Sequence, residues 1–479
     1  MKPIGRSFSL AALMLLGACA AGPDYQKPAF EMPAAWKTET PWREAAPRDS
    51  ADKGLWWERF GDAQLNKLQE QALAQSPTLV IAGARLAQAR ATLAAASGAQ
   101  YPQVGLSVRD SKGRISANRP LTNYNSPNFT TTQSDTVVNL AVGYELDLAG
   151  RVQRSVEGAR ASAEQSAIDF ENVRLLLTAD VATAYFNLRA VDIELDVLRR
   201  AIELQRKSLA YATTRHDLGA TSGLDVAQQQ TLIDNTLVQV DLLRRQRSQF
   251  QHALATLTGT PAPLFELAAD PKVMTPPAIP AGVPSDLLER RPDVASAERA
   301  MAAANAQIGV ASAAFYPSIV LGASYGSQSR VMDTLFNAPS VIWSVGASAA
   351  QNLFDGGRIR AGVDFTSAGY EATVANYRRV VLTAMQEVED GIIGLAALER
   401  AHTQAKVATT SATRVLDLAA ARYEGGIATS LDVIIAQQAL LNSERLAAQL
   451  AGQRLLTSVF LVKALGGDWP GSGKVATQP

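Results

Sequence analysis

The stretch Arg215-His-Asp-Leu-Gly219-Ala-Thr-Ser-Gly-Leu224-Asp-Val226 returns later in the chain as Arg422-Tyr-Glu-Gly-Gly426-Ile-Ala-Thr-Ser-Leu431-Asp-Val433. Each copy places a glycine a few residues before hydroxyl residues, which is typical of one helix ending and a second, side-chain-capped helix beginning. The same offset, 207, separates every matched position of the two copies. Each copy therefore predicts the turn of a helical hairpin, and the pair predicts a duplicated chain.

A second repeated motif extends the duplication. Ala99-Gln-Tyr-Pro102 recurs as Ala314-Phe-Tyr-Pro317, here with an offset of 215. The change of offset places about eight extra residues of the first half between Val108 and Leu146. Self-similarity at both ends of each half is the mark of an internal repeat.

Proline placement predicts very long helices. No proline occurs between Pro127 and Pro261, or between Pro339 and Pro470, and proline inside a helix costs about 3 kcal/mol. A helix from Arg151 to about Leu218 would be roughly 100 Å long at 1.5 Å per residue. We expect the same order in each half: helix, two strands, very long helix, turn, helix.

Apolar residues at heptad spacing indicate a coiled-coil seam along the first long helix. The heptad positions and the positions three residues later are Val181, Leu188, Leu195, Ile202 and Leu209, with Ala184, Val191, Leu198 and Ala212. The second half keeps the register with polar residues in the middle: Val388, Leu395, His402, Thr409 and Leu416. We expect His402, like His216, to be a seam or surface residue of a hairpin rather than part of a site.

Four segments alternate apolar residues with small or polar ones: Val104-Gly-Leu-Ser-Val108, the stretch from Val138 to Leu146, the stretch from Ile319 to Tyr325, and Trp343-Ser-Val-Gly-Ala347. Period two fits a barrel wall between lipid and water, and it equally fits a soluble antiparallel sheet. Four strands cannot close a barrel, and an open sheet edge is not tolerated in hydrocarbon. The membrane interpretation therefore requires assembly, and three chains would supply twelve strands.

Composition excludes several function classes. The 45 basic and 45 acidic residues cancel, which argues against a nucleic-acid partner. The three histidines are scattered, so no metal-binding cluster is visible. Because no nucleophile elbow, phosphate loop or dinucleotide fingerprint is present either, we expect neither an enzyme nor a cofactor.

The N-terminus predicts a lipoprotein. Lys2 and Arg6 precede an apolar run, too short for a transmembrane helix, that ends in Leu16-Gly-Ala-Cys19. This is a lipobox, so Cys19 would become the acylated first residue of the mature chain. The alternative is ordinary signal cleavage that leaves a free thiol. Ala20 stands where an aspartate would favour inner-membrane retention, which points to the outer membrane.

We divide the chain at its composition changes. The predicted segments are a signal peptide (1–18), an extended leader or equatorial region (19–65), a first repeat (66–260), a proline-rich linker or equatorial region (261–290), a second repeat (291–468) and a tail (469–479).

The chain resembles the outer-membrane efflux factors of the TolC type, in particular their NodT-like lipoprotein branch. The resemblance covers essentially the whole mature chain. The motifs that carry it are Cys19-Ala-Ala-Gly-Pro-Asp-Tyr25 with Pro28 and Pro33, Trp56-Trp57 with Phe60-Gly-Asp62 and Leu65, Leu146-Asp-Leu-Ala-Gly-Arg151, Val283-Pro-Ser-Asp-Leu-Leu-Glu-Arg-Arg-Pro-Asp293 and Leu353-Phe-Asp-Gly-Gly-Arg358.

The resemblance implies an α+β fold of mainly long helical hairpins with an internal duplication. It further implies a homotrimer, with a twelve-stranded barrel in the Gram-negative outer membrane and a coiled-coil α-barrel crossing the periplasm. Such a protein is a passive exit duct, and a periplasmic adaptor and an inner-membrane pump engage its hairpin tips. Apart from lipid on Cys19, the resemblance implies no cofactor.

Carried over to matching positions, the resemblance also assigns the hairpin turns. Asp432 would line the closed periplasmic aperture, although it could equally be a helix cap, and Ile435 stands where many relatives have a second acidic residue. Asp225 is the weaker aperture candidate because a structural role fits it better, and Tyr423 is either a hydrogen-bonding latch or a packed heptad residue. The candidate adaptor contacts are Gly219, Leu224, Val226, Gly426, Leu431 and Val433. The alternative is that turn geometry and packing within the hairpins account for these residues without any partner, and both can hold together.

The expected cargo follows from the same resemblance. The linker block is similar to that of members that serve proton-driven pumps, so small apolar or amphiphilic compounds, including antibiotics, are the first expectation. Protein secretion with an ATP-driven exporter is the second, and metal-ion efflux the third. A lipid-anchored periplasmic coiled-coil scaffold is the alternative from another class, but it would not need the four alternating segments.

Overall fold

The computed structural model describes residues 21–26, 54–118, 131–279 and 290–467. Cys19, Pro28 and Pro33 of the leader, most of the linker block and the tail lie outside these residues, so the interpretations placed on them remain predictions. Among the described helices, none combines the length and apolar character needed to cross a membrane.

The elements follow the predicted order. In chain order they are α1 (Ala63–Gln75), α2 (Pro77–Gly98), β1 (Gln103–Ile115), β2 (Thr131–Leu146), α3 (Arg151–Asp217), α4 (Gly223–Leu257), α5 (Pro292–Ala313), β3 (Ser318–Ser329), β4 (Val341–Ala350), α6 (Arg358–Glu424) and α7 (Ser430–Ala464).

The duplication is confirmed element by element. Helices α3 and α6 both have 67 residues, and α4 and α7 both have 35. Helices α2 and α5 both have 22. The extra residues of the first half lengthen its β-hairpin, whose strands have 13 and 16 residues against 12 and 10 in the second.

The four strands form one antiparallel sheet in the order β1-β2-β3-β4. Its register aligns Leu106 with Leu140, Leu140 with Tyr325, and Tyr325 with Trp343. Because side chains alternate between faces, this row belongs to one apolar face. The opposite face carries small and polar residues, including the neighbouring row Gly105, Ala141, Ser324 and Ser344.

Contacts divide the chain into two compact units. One comprises residues 1–29, 86–166 and 297–377 and contains the sheet; the other comprises residues 30–85, 167–296 and 378–479. The largest apolar core of the second unit forms where the Trp56-Trp57 motif packs on α3. There the Trp56 indole donates to the Thr178 hydroxyl at 3.3 Å, and the Tyr185 hydroxyl donates to Asp62 at 2.7 Å.

Most of the predicted heptad seam is buried, while Leu195, Leu209, Leu395 and Thr409 are partly exposed. Val181, Leu188 and Leu198 have no exposed surface, and in the second half His402 is buried at its predicted seam position. Further along the seam, Asp192 lies fully buried between Arg189 and Arg247, with oxygen–nitrogen distances of 2.9 and 2.6 Å. Paired guanidinium groups are what a buried carboxylate requires.

Candidate functional site at the paired hairpin turns

The two hairpin turns of the second unit have the same backbone. Gly219 and Gly426 adopt φ values of 75° and 74°, the left-handed conformation that closes a helix. The amide after each glycine donates to a carbonyl five residues back: Ala220 to Arg215 at 2.8 Å and Ile427 to Arg422 at 2.9 Å. The glycines are therefore required by the backbone itself, and a side chain at either position would be strained.

The returning helices are capped differently. The Ser222 hydroxyl accepts from the Leu224 amide at 3.1 Å and caps α4. In α7, Thr429 and Asp432 form a reciprocal capping box: the Thr429 amide and hydroxyl each donate to Asp432 Oδ2 at 2.8 Å. These hydrogen bonds, first that of the Thr429 amide, lower the pKa of Asp432 below its ordinary 3.8.

Asp225 joins the two hairpins. The Ser430 hydroxyl, at the start of α7, donates to Asp225 Oδ1 at 2.5 Å, and the Thr221 hydroxyl donates to Oδ2. The Ser430 hydrogen bond is the largest cause of a lowered Asp225 pKa. The carboxylate therefore stays ionised throughout the neutral range, and the cross-hairpin hydrogen bond is charge-assisted.

Arg215 makes the second connection between the hairpins. Its Nη1 donates to the Tyr423 carbonyl at 3.2 Å. Its guanidinium carbon lies 5.2 Å from the Tyr423 ring centre and 5.9 Å from that of Tyr211. The two tyrosine rings meet edge to face at 5.6 Å. A cation between two aromatic faces adds attraction to the hydrogen bond.

Tyr423 is packed rather than hydrogen-bonded. Its ring is buried with Leu416, Val433 and Ala436, and burial raises the pKa of its hydroxyl. Within the described residues that hydroxyl makes no hydrogen bond of ordinary geometry, although the nearby Thr221 side chain partly offsets the rise of its pKa. The ring of Tyr423 thus occupies a packed heptad position, and its main-chain carbonyl accepts from Arg215.

Asp432 and Ile435 line a groove on the second hairpin. The groove has a volume of about 400 Å³. Its lining residues are Val415, Leu418, Ala419, Arg422, Ala428, Asp432, Ile435, Ala436 and Ala439. In contrast to Asp225, Asp432 is bonded only within its own turn.

The residues predicted to contact an adaptor fall into two groups. Leu224 and Leu431 are exposed at 63% and 49%, and both glycines have open space where a side chain would be. Val226 is half-buried, whereas Val433 is only 4% exposed and packs into the Tyr423 cluster. Of the predicted residues, the two leucines and the two glycines are therefore the accessible ones, and Leu218 and Ile427 of the same turns are exposed beside them.

Two residues that connect the hairpins, Arg215 and Ser430, were not identified as such from the sequence. Arg215 was noted only as a repeated residue, and Ser430 only as a possible cap. The repeat does contain a signal for Ser430. The two copies share the Leu-Asp-Val that follows, but the position before it is Ser430 in the second half and Gly223 in the first. Within the described residues, no group of three or more histidine, cysteine, aspartate or glutamate side chains could hold a metal ion.

A double-mutant cycle tests the connection through Asp225. We expect Asp225→Ala and Ser430→Ala each to speed hydrogen exchange at the start of α7, with a coupling of about 1.5 kcal/mol, roughly tenfold in exchange rate, because each variant removes the same charge-assisted hydrogen bond. Asp432→Ala is the control, since it removes a cap without touching the first hairpin. Additive effects of the two variants would contradict the connection.

Comparison with known proteins agrees with this architecture. The family model described as outer membrane efflux protein matches residues 68–260 and 283–467. The pyoverdine export outer membrane protein OpmQ of Pseudomonas aeruginosa is 32% identical over 462 residues, 96% of each chain. The solvent efflux pump outer membrane protein SrpC of Pseudomonas putida is 33% identical over 473 residues, covering 97% of this chain and 98% of SrpC.

Solved structures give the same result. The outer-membrane channel OprN superposes with a TM-score of 0.84 at 27% identity, over 94% of this chain and all of OprN. The outer membrane protein VceC of Vibrio cholerae superposes with a TM-score of 0.79, also at 27% identity, over 86% of this chain and 98% of VceC. With its duplicated hairpins and its four-stranded sheet, this chain belongs to the outer membrane efflux protein family.

Proposed function

We propose that three copies of this chain form the exit channel of a tripartite efflux system, with twelve strands closed into one barrel in the outer membrane. The observation that supports this most directly is the sheet itself. In the described chain β1 and β4 each pair on one side only. Unpaired backbone groups cannot remain in hydrocarbon, so β4 of one copy pairs with β1 of the next.

The two faces of the sheet support the membrane assignment. Within the part of the chain that the structure describes, nothing covers the apolar row of Leu106, Leu140, Tyr325 and Trp343, and Trp343 is 73% exposed. On the opposite face, polar side chains bond one another: Ser324 with Ser344 at 2.8 Å, and Gln328 with Asp135 at 2.7 Å. A barrel wall with lipid outside and water inside needs this division.

The helical hairpins form the periplasmic part of the duct in this proposal. A periplasmic adaptor and an inner-membrane pump engage their turns, chiefly through Leu224, Leu431 and the backbone at Gly219 and Gly426. Asp432 and Ile435 would then contribute to the periplasmic aperture. Because Val433 is packed inside the hairpin, it is a supporting residue in this arrangement and not a contact.

Small molecules are the proposed cargo. The names of the relatives refer to pyoverdine, solvents, toluene and antibiotics, all far smaller than a polypeptide. An exit duct that serves a proton-driven pump for small amphiphilic compounds fits these names. Polypeptide export with an ATP-driven exporter is the alternative, and the identity of the adaptor separates it from small-molecule efflux.

A lipid on Cys19 completes the proposal. The Ala21 amide donates to the Ala149 carbonyl at 3.0 Å, three residues after the end of β2. Arg154, bonded to Asp24 at 2.8 Å, holds the same segment against the start of α3. Cys19 lies two positions before Ala21, about 7 Å of chain at most. An acyl chain there would enter the bilayer beside the foot of the barrel.

Two neighbouring substitutions test the barrel. We expect Leu106→Arg to reduce insertion into the outer membrane severely, because arginine on the lipid face costs about 2–4 kcal/mol near the bilayer midplane. Ser107→Arg, one residue along the same strand, points to the opposite face and should insert normally. The measurement is the amount of heat-modifiable, detergent-stable trimer in outer-membrane fractions. Equal loss for both variants would contradict the proposed lipid face.

Photo-crosslinking in living cells tests the partner. A photoreactive residue at Leu431 should capture an adaptor encoded beside a proton-driven pump, since Leu431 is exposed and its backbone is unstrained. Val433 serves as the matched control, two residues away but buried. Capture of the adaptor of an ATP-driven exporter would indicate that the cargo is a polypeptide. Equal capture at Leu431 and Val433 would contradict the proposed contact surface.

A further inference from the structure

One position of the apolar seam on α3 is polar, and its side chain is buried without a partner. The seam positions Val191, Leu198 and Ala212 follow a heptad spacing, and Gln205 occupies the place between the last two. The Gln205 side chain is only 1% exposed. Within the described residues, neither its amide nitrogen nor its amide oxygen has a hydrogen-bond partner. Since buried polar groups are normally hydrogen-bonded, this amide calls for a group that the chain itself does not supply.

A second buried amide on the facing helix is also incompletely bonded. A polar residue in a coiled-coil seam can fix the register of the helices, but that role needs a polar partner. Gln437 of α7 does not act as that partner, because its amide nitrogen donates to the Ser208 hydroxyl at 2.7 Å. Its amide oxygen makes no hydrogen bond within the described part of the chain. Gln205 and Gln437 thus present three unpaired amide atoms.

Both glutamines line one cavity between α3 and α7, which we call the α3–α7 cavity. It has a volume of about 190 Å³. The other lining residues are Ala201, Leu204, Leu440 and Leu441, together with the charged Arg200 and Glu444. All of them belong to the second unit. The lining is therefore aliphatic, with two amides and one pair of opposite charges.

The charges of the lining favour a neutral ligand. Arg200 Nη2 lies 4.0 Å from Glu444, and Arg200 Nη1 pairs with Asp196. A cation in the cavity would be repelled by Arg200, and an anion by Glu444. Because the guanidinium already has carboxylates beside it, it needs no counter-ion from a ligand.

Water alone fits this lining poorly. At about 30 Å³ per molecule, roughly six waters would fill the cavity, and each would need at least two polar partners. The aliphatic side chains offer none. An apolar cavity of about 150 Å³ is large enough to bind benzene. A ring of that size with one polar substituent would satisfy both the aliphatic and the amide parts of the lining.

The repeat indicates that the fold does not require this polar set. At the offset of 207, Arg200 and Gln205 correspond to Val407 and Ala412, and Glu444 corresponds to Leu237. Apolar residues are thus compatible with the same positions of the repeated helices. The polar set occurs only where α3 meets α7.

We propose that the α3–α7 cavity binds a small, neutral amphiphile whose polar edge is a primary amide or a group with the same adjacent donor and acceptor. A carboxamide offers a donor and an acceptor side by side, so Gln205 pairs with such an edge through two parallel hydrogen bonds. The Gln437 oxygen accepts from the remaining amide hydrogen, and the apolar body of the ligand lies against Leu204, Leu440 and Leu441. The ligand bonds α3 and α7 together and stabilises their contact. Because the site lies within one chain, it does not depend on the proposed trimer or exit channel.

Benzamide is the probe, because it carries this edge on a ring that suits the volume. In the full-length protein in detergent, we expect benzamide to slow hydrogen exchange of the α7 amides around Leu440 and Leu441. Half-saturation should fall at about 1 mM, in the range expected for a ligand of this size. Gln205→Leu should weaken binding by about tenfold or more, because it removes two hydrogen bonds. This variant places an apolar residue at a heptad position, so it should fold and unfold at a higher temperature than the parent protein.

Gln229→Leu is the matched control. Gln229 is also 1% exposed, and its amide oxygen makes no hydrogen bond to any described residue, but it lies on α4 and does not line the cavity. Benzamide should protect α7 in this variant as it does in the parent protein.

The other outcomes would overturn the site. An absence of protection by benzamide in the parent protein would mean that the cavity holds water only. Equal protection in the parent protein and the Gln205→Leu variant would show that the amide does not hold the ligand. Equal loss in the Gln205→Leu and Gln229→Leu variants would show that benzamide does not act through this cavity. None of these results would affect the proposed exit channel, which the barrel and crosslinking experiments test.

Discussion

The burial of the apolar seam along α3 determines how the two helical hairpins of the second unit are aligned. Val181, Leu188 and Leu198 are completely enclosed, and any axial slip of α3 against its neighbours would expose them to water. Because the seam fixes this register, residues many helical turns away are brought to the same level. Arg215 meets Tyr423, and Asp225 meets Ser430, only because that register is maintained. The polar connections at the turns are thus a product of apolar packing further along the helix.

Most of the architecture could be predicted from the sequence because its signals are local or periodic. Proline-free stretches, heptads and repeated turn motifs predicted the helices, and period-two alternation predicted the strands. The strands are longer than the predicted segments, since β1 continues through Arg109 and Lys112, where the apolar alternation stops but the backbone pairing does not. Where a strand ends depends on how far its pairing partner extends, and the residue pattern of one strand does not contain that information.

The candidate site was less predictable for a related reason. Its position at the turns followed from the repeat, but its contacts depend on which faces of two hairpins meet. Val433 was a candidate adaptor contact with hairpin packing as the alternative, and it packs with Leu416 and Tyr423. Asp432 and Asp225 look alike in sequence, and only the structure separates a carboxylate that caps its own helix from one that bridges two hairpins. Such distinctions arise from tertiary contacts, which residue spacing does not encode.

The unequal β-hairpins have a practical consequence. Beyond the apolar row, β1 and β2 carry polar residues on both faces: Asp110 bonds Thr136 at 2.6 Å on one, and Arg109 lies 3.3 Å from Asp135 on the other. A strand pair that is polar on both faces gains no stability from contact with lipid. Its length can therefore differ between the two repeats without disturbing the rest of the sheet. Residues can therefore be added at the polar ends of β1 and β2, next to Ile115 and Thr131, without displacing the apolar row.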